Sequence, residues 1–219
     1  MPRPLTLRLL QSEAAQFAKW QSARPVPALF GTTDGKAVGT HVEHEFQSRL
    51  QRKFSYDRGN SAKGIDFPAL DVDLKVTSIR QPQSSCPFRS ARQKIYGLGY
   101  SLIVFVYDKR DDAKARAARL EIQHTVFVDK TRTADFQTTT GLRRLIENHA
   151  NRDDILAFFE ERLLPVADAE AIVLADEVLA HPPLVGCLTI SNALQWRLQY
   201  SRAIEQAGSV DGVVRLTLP

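Results

Sequence analysis

The sequence predicts an α/β fold: a mixed β-sheet core flanked by helices, followed by a mostly helical C-terminal region. Three observations point there. Residues 101–107 form a continuous apolar run of the length expected for a central strand buried on both faces. Residues 71–76 alternate strictly, with Asp71, Asp73 and Lys75 on one side of an extended strand and Val72, Leu74 and Val76 on the other. Residues 40–54 carry helical apolar spacing, with Val42, Phe46, Leu50 and Phe54 in the stripe.

The remaining elements follow in order. Residues 5–20 are weakly amphipathic and read as a terminal helix, closed by a turn containing Pro25 and Pro27. The stretch 31–39 holds Gly31, Gly35 and Gly39 and reads as loop. Residues 55–64 have turn chemistry, and 81–87, with two prolines, read as another loop. Residues 88–96 fit a short helix ended by Gly97. Residues 120–128 read as a strand. Beyond them 141–147, 153–164 (N-capped by Asn151) and 167–179 read as helices. Residues 191–207 read as a helix capped by Ser191 and stopped by Gly208, and 212–218 as a final strand. The expected organisation is a single domain, with a catalytic core over 30–130 and a helical elaboration over 131–219 for specificity and dimer contacts.

Composition narrows the function classes. No apolar run approaches the roughly 20 residues of a membrane span. The opening residues lack the apolar segment of an export signal, and the two cysteines lack metal-ligand spacing, so a reduced cytoplasmic protein is expected. The net charge of +4 matters less than its distribution. No acid occurs between residues 76 and 107, where Arg80, Arg89, Arg92 and Lys94 lie. Upstream, Arg49, Arg52, Lys53, Arg58 and Lys63 face only Asp57. An acidic strand inside a basic surround suits binding to a phosphate backbone.

The strand itself carries the chemistry. Asp66 precedes it across a bend containing Pro68, so Asp66, Asp71, Asp73 and Lys75 gather in one small region. Carboxylate oxygens are the hard ligands that Mg²⁺ prefers, and an ammonium beside them suits an attacking water and a phosphate. The plain alternative is an edge strand with charges on its wet face. Glu43 lies on the apolar stripe of the helix before it, where a carboxylate needs a cation or a metal, and is a candidate third acid. In the helix over 88–96, Arg89, Arg92, Gln93 and Tyr96 form a polar face suited to a phosphate contact. In the helix over 191–207, Asn192, Gln195, Gln199, Arg202 and Gln206 form a stripe suited either to base edges in a major groove or simply to solvent. Tyr56 and Arg58 are alternative DNA contacts. His41 and His44 are three apart with Glu43 turned away from them, which makes zinc the lesser reading.

Gly39-x-x-x-Glu43, Gly64-Ile65-Asp66, Asp73-x-Lys75 and Gln93-x-x-Tyr96 together resemble the PD-(D/E)XK nuclease superfamily, over residues 39–108. Within it the chain is most similar to type II restriction endonucleases. The resemblance implies a restriction-endonuclease-like core and Mg²⁺-dependent, sequence-specific cleavage of double-stranded DNA, leaving 5′-phosphates. It implies that Asp66 and Asp73 bind Mg²⁺, that Lys75 assists the water, and that Glu43 and Gln93 have supporting places. It also implies a homodimer on a palindromic site. The chain departs from the pattern in having Ile65 where a proline is usual, in the short spacing from Asp66 to Asp73, and in Asp71 as a rival ligand. A structure-specific repair or junction-resolving nuclease on the same core, or an inactive DNA-binding protein, are the alternatives.

Overall fold

A computed structural model describes residues 2–57, 59, 64–86, 90–191 and 196–217. In chain order the elements are β1 (Arg3–Pro4), α1 (Leu7–Ser22), β2 (Pro25–Val26), α2 (Gly35–Gln51), β3 (Phe54–Ser55), β4 (Val72–Ser78), β5 (Gln83–Cys86), α3 (Arg92–Tyr96), β6 (Ser101–Asp112) and β7 (Ala117–Val128). Then come α4 (Phe136–Glu147), α5 (Arg152–Glu161), α6 (Asp168–Ala180), β8 (Thr189–Ile190), β9 (Trp196–Gln199), α7 (Ser201–Gln206) and β10 (Val213–Arg215).

The main sheet has the order β10-β7-β6-β4, with β2 also paired to β7. β4 and β6 are parallel, whereas β6 and β7 are antiparallel. The apolar run lies at the start of β6, with a neighbour on each side and both faces buried. Ile103, Phe105 and Tyr107 face a core shared with α1 and α2, where Phe17, Phe46 and Phe105 stack with centroids 5.1–5.4 Å apart. Leu102, Val104 and Val106 face a second core with Leu188, Ile190, Leu198 and Tyr200. β4 takes the edge of the sheet, which leaves its far side open for the site.

α1 and α2 are locked by charge as well as by packing. Glu13 is buried in α1 and accepts from Lys53 Nζ at 2.7 and 2.8 Å and from Arg49 Nε at 3.5 Å. Two of the basic residues expected to face phosphate therefore serve the interior. α2 also begins earlier than its glycines suggest. Asp34 caps it, accepting from Lys36 N–H at 2.9 Å, so residues 35–39 are helix and not loop.

The C-terminal region differs more. Residues 191–207 do not form one helix: β9 pairs with β5 and β8, and α7 follows. The local sign was an alternation with period two, in which Arg197 and Gln199 are exposed and Leu198 and Tyr200 are buried. Likewise the expected loop over 81–87 contains β5, because a strand more than a hundred residues away pairs with it. A third sheet follows, in the order β5-β9-β8. α3 stops at Gly97 as expected. Its φ of +92° disfavours other residues, and a Cβ there would lie 2.7 Å from Lys130 O.

α3, α4, α5 and α6 share their own apolar cluster, and one buried carboxylate ties it to the rest. Asp135 caps α4, its Oδ2 accepting from Thr138 N–H (2.8 Å) and Thr138 Oγ1 (2.7 Å), while its Oδ1 accepts from Ile190 N–H at 2.7 Å. Its own N–H donates to Lys94 O at 2.9 Å. Asp135→Ala strands donors on α4 and β8 together, and is expected to cost on the order of 2–4 kcal/mol in denaturant unfolding. A midpoint within error of wild type would show that the cap does not join these elements.

Candidate active site

The open edge of β4 determines the geometry of the site. Pro68–Leu70 make one tight helical turn, and Asp71 adopts a left-handed conformation with φ +51°. The chain therefore doubles back. Phe67 N–H donates to Val72 O at 2.9 Å, and Val72 N–H donates to Phe67 O at 3.3 Å. This short antiparallel step carries Asp66 alongside Leu74, whose N–H donates to Asp66 Oδ2 at 2.9 Å. The seven-residue separation that looked short for the family pattern is what a tight turn of this kind requires.

Asp66 and Asp73 thereby become hydrogen-bonded neighbours. Asp73 is only 3% exposed. Lys75 Nζ lies 2.7 Å from Asp73 Oδ2 as an ion pair, off the line of a hydrogen bond, and that buried oxygen has no aligned donor. Burial, the hydrogen bond to Asp73 and the charges of Asp73 and Glu43 push the Asp66 carboxyl up to about 7, against the pull of the Leu74 amide. Glu43, on α2, is within electrostatic reach of the same group. Burial raises its pKa, Lys75 lowers it, and Asp73 raises it again. Glu43 and Asp66 thus lie within electrostatic reach of Asp73, and Lys75 within reach of Glu43 and Asp73.

Asp71, the alternative ligand, is placed differently from Asp66. It lies before the strand, in the turn, 60% exposed, with Lys130 Nζ at 3.5 Å. The alternation of charges begins one residue later than the sequence suggests. A supporting residue was missed: Gln47 Nε2 donates to Asp66 Oδ1 at 3.1 Å, and Tyr56 donates to Gln47 O at 3.2 Å. Its signal was its place one helical turn after Glu43.

Among the described residues no three His, Cys, Asp or Glu side chains are gathered closely enough to hold an ion as they stand. The donor set nevertheless fits a divalent cation. The Asp66 carboxyl is pushed up to about 7 beside Asp73, and one buried Asp73 oxygen lacks an aligned donor, a pairing of hard oxygens that suits such an ion.

The expected DNA-contacting residues fare unevenly. Arg58, Lys63, Arg89 and Gln195 lie outside the described residues. Arg92 is exposed, but it is bound to both carboxylate oxygens of Glu177 on α6 and lies over the Tyr96 ring. Gln93 donates weakly to Leu98 O at 3.4 Å. Arg202 stacks 3.4 Å from the ring centroid of Phe136, the first residue of α4, and so packs between elements and not on an exposed helical stripe. Gln199 is exposed on β9.

The proton on Asp66 has a consequence for stability. The folded chain keeps it up to about pH 7, whereas an ordinary aspartate releases it near 3.8. Its stabilising contribution is full below about 3.8 and is lost as the pH rises through 7. Asp66→Asn needs no such proton. In chelator it is expected to exceed wild-type stability at pH 8 by on the order of 2 kcal/mol, with the gap closing towards pH 5. Identical unfolding midpoints at pH 8 would mean that the two carboxyls do not interact.

Similarity to known proteins agrees with this geometry. The family model described as "Type II restriction enzyme NspV" matches residues 4–215. A curated relative from Nostoc sp. (strain ATCC 29411 / PCC 7524), "Type II restriction enzyme NspV", is 58% identical over 210 residues, covering 96% of each chain. No solved structure matches the chain. The carboxylate pair and its lysine on an edge strand, together with a match over almost the whole length, establish that this chain belongs to the NspV family of type II restriction enzymes.

Proposed function

We propose that the chain is a Mg²⁺-dependent endonuclease that cuts double-stranded DNA at a specific sequence and leaves 5′-phosphates. Membership of a type II restriction enzyme family makes it a site-specific deoxyribonuclease. The observation that carries the metal-dependent reading is the Asp66–Asp73 pair, with Lys75 2.7 Å from Asp73.

In this reading Asp66 and Asp73 hold the cation, and Glu43 supplies a further oxygen or orients water. A divalent cation there would polarise the phosphate and acidify water at neutral pH. The protein's own part is positional. The Leu74 amide and Gln47 hold Asp66 in place, since each donates to one of its oxygens. The Lys75 ammonium, beside Asp73 and partly exposed, orients the nucleophile and offsets the charge that grows on the phosphate. Loading the site releases the Asp66 proton, so cation affinity rises as the pH passes through about 7.

A homodimer is proposed on the same footing, because a palindromic site is matched by a two-fold protein. Among the described residues no helix is long and apolar enough to cross a membrane.

Plasmid DNA with purified protein and Mg²⁺ is expected to give discrete fragments. EDTA or Asp73→Ala should abolish them, and Lys75→Ala should slow their appearance by about 10²–10³-fold. The fragments should be joined directly by DNA ligase. Equal cutting by wild type and Asp73→Ala removes the site assignment, and fragments that need a kinase before ligation remove the 5′-phosphate.

A further inference from the structure

We infer that the solvent face of the β5–β9 ribbon reads the bases of the recognition site, with Gln83, Arg197 and Gln199 as its specificity-determining side chains. The inference rests on the reading of the chain as a sequence-specific DNA endonuclease, and adds which surface recognises the sequence.

Register places these residues on one face. Gln83 is directly opposite Gln199, and Ser85 is opposite Arg197. Arg197 and Gln199 are exposed, whereas Leu198 between them is fully buried. Two amides thus lie side by side, with a guanidinium two residues along the same strand. Unlike Arg92, which is held by Glu177, Arg197 has no acidic partner among the described residues.

The ribbon is held firmly from behind. Ser84 Oγ and Tyr200 OH are 2.5 Å apart, and Leu198, Ile190 and Tyr200 belong to the second core. Towards the site, Thr77 Oγ1 accepts from Gln83 N–H at 3.0 Å. Thr77 lies on the face of β4 that carries Asp73 and Lys75, so one residue links the catalytic strand to the ribbon. A cleft of about 970 Å³ runs past this joint and is lined by Val76, Thr77, Gln83 and Arg197. It carries the cationic Lys36, Arg80, Lys109 and Arg197 against Asp34 and Asp111.

The side-chain chemistry matches base edges. β5 and β9 belong to the three-stranded sheet β5-β9-β8; strands of a sheet can read the major groove, where glutamine pairs with adenine through two hydrogen bonds and arginine does the same with guanine. The face offers these side chains on a backbone joined through Thr77 to the strand that carries Asp73 and Lys75.

The test is selection of bound duplexes from a randomised pool by the full chain, with Ca²⁺ replacing Mg²⁺ so that DNA is held and not cut. Wild type is expected to enrich one sequence. Gln83→Ala, Arg197→Ala and Gln199→Ala should each lose preference at one or two base positions. Each should also weaken binding to the wild-type sequence by about tenfold to a hundredfold, with unchanged thermal melting. Arg197→Lys should keep non-specific binding but not the lost preference. The inference is overturned if the variants enrich the same sequence with unchanged affinity, if lysine at 197 restores both, or if wild type enriches no sequence. Cleavage with Mg²⁺ is scored separately, so failure of the catalytic assignment and failure of this one are distinguishable.

Discussion

An edge strand has backbone donors without a neighbour to receive them. In β4 the Leu74 amide is met by the Asp66 carboxylate at 2.9 Å, and the rest of the site follows from that bond. It requires a tight turn between the two, which Pro68 begins and the left-handed Asp71 completes. It places a second carboxyl against buried Asp73, where two full negative charges would repel. The protein accommodates the pair by retaining a proton, at the cost of an Asp66 carboxyl pushed up to about 7. In the proposed reading a cation bound there would relieve this electrostatic load.

The main sheet keeps that load from distorting the fold. On one face, α1 and α2 are fastened by the aromatic stack of Phe17, Phe46 and Phe105 and by Glu13 with its two cations. This fixes the helix that presents Glu43 and Gln47. On the other face, β8, β9 and α7 cover Leu102, Val104 and Val106. Hydrolytic groups and ribbon thus share one rigid support, β4, through Thr77. Preorganisation of this kind is what positioning an in-line attack demands.

What could be read from the sequence was what is local. The run in β6 was visible because both faces of a central strand must be apolar, and Asp73 with Lys75 because a strand alternates. Asn151 was readable as a cap because its partner Asp154 is three residues on, and the capping box is present. Convergence of Glu43 and Asp66 on that pair was also foreseeable, from stripe and motif order. The β5–β9 pairing was not, since its halves are far apart in the chain and residues 191–207 also satisfy a helical spacing. Arg197, Leu198, Gln199 and Tyr200 alternate over only four positions, too few to outweigh it without the partner strand. The helical start at Asp34 was hidden by Gly35 and Gly39.

The basic residues show why net charge is a poor guide to a nucleic-acid surface. Arg49 and Lys53 neutralise Glu13, Arg92 holds Glu177, and Arg202 lies on Phe136. These cations stabilise contacts between elements, and three of them are drawn to carboxylates of the protein itself. The field available to a phosphate backbone must come from cations that packing leaves outward, and Lys36, Arg80 and Arg197 do so around a single cleft. That cleft is lined on β4 by Val76, Thr77 and Ser78, at the end of the strand that carries Asp73 and Lys75. In the proposed reading, steering by charge along the cleft and reading by the ribbon would both act through β4, the strand that also carries Asp73 and Lys75.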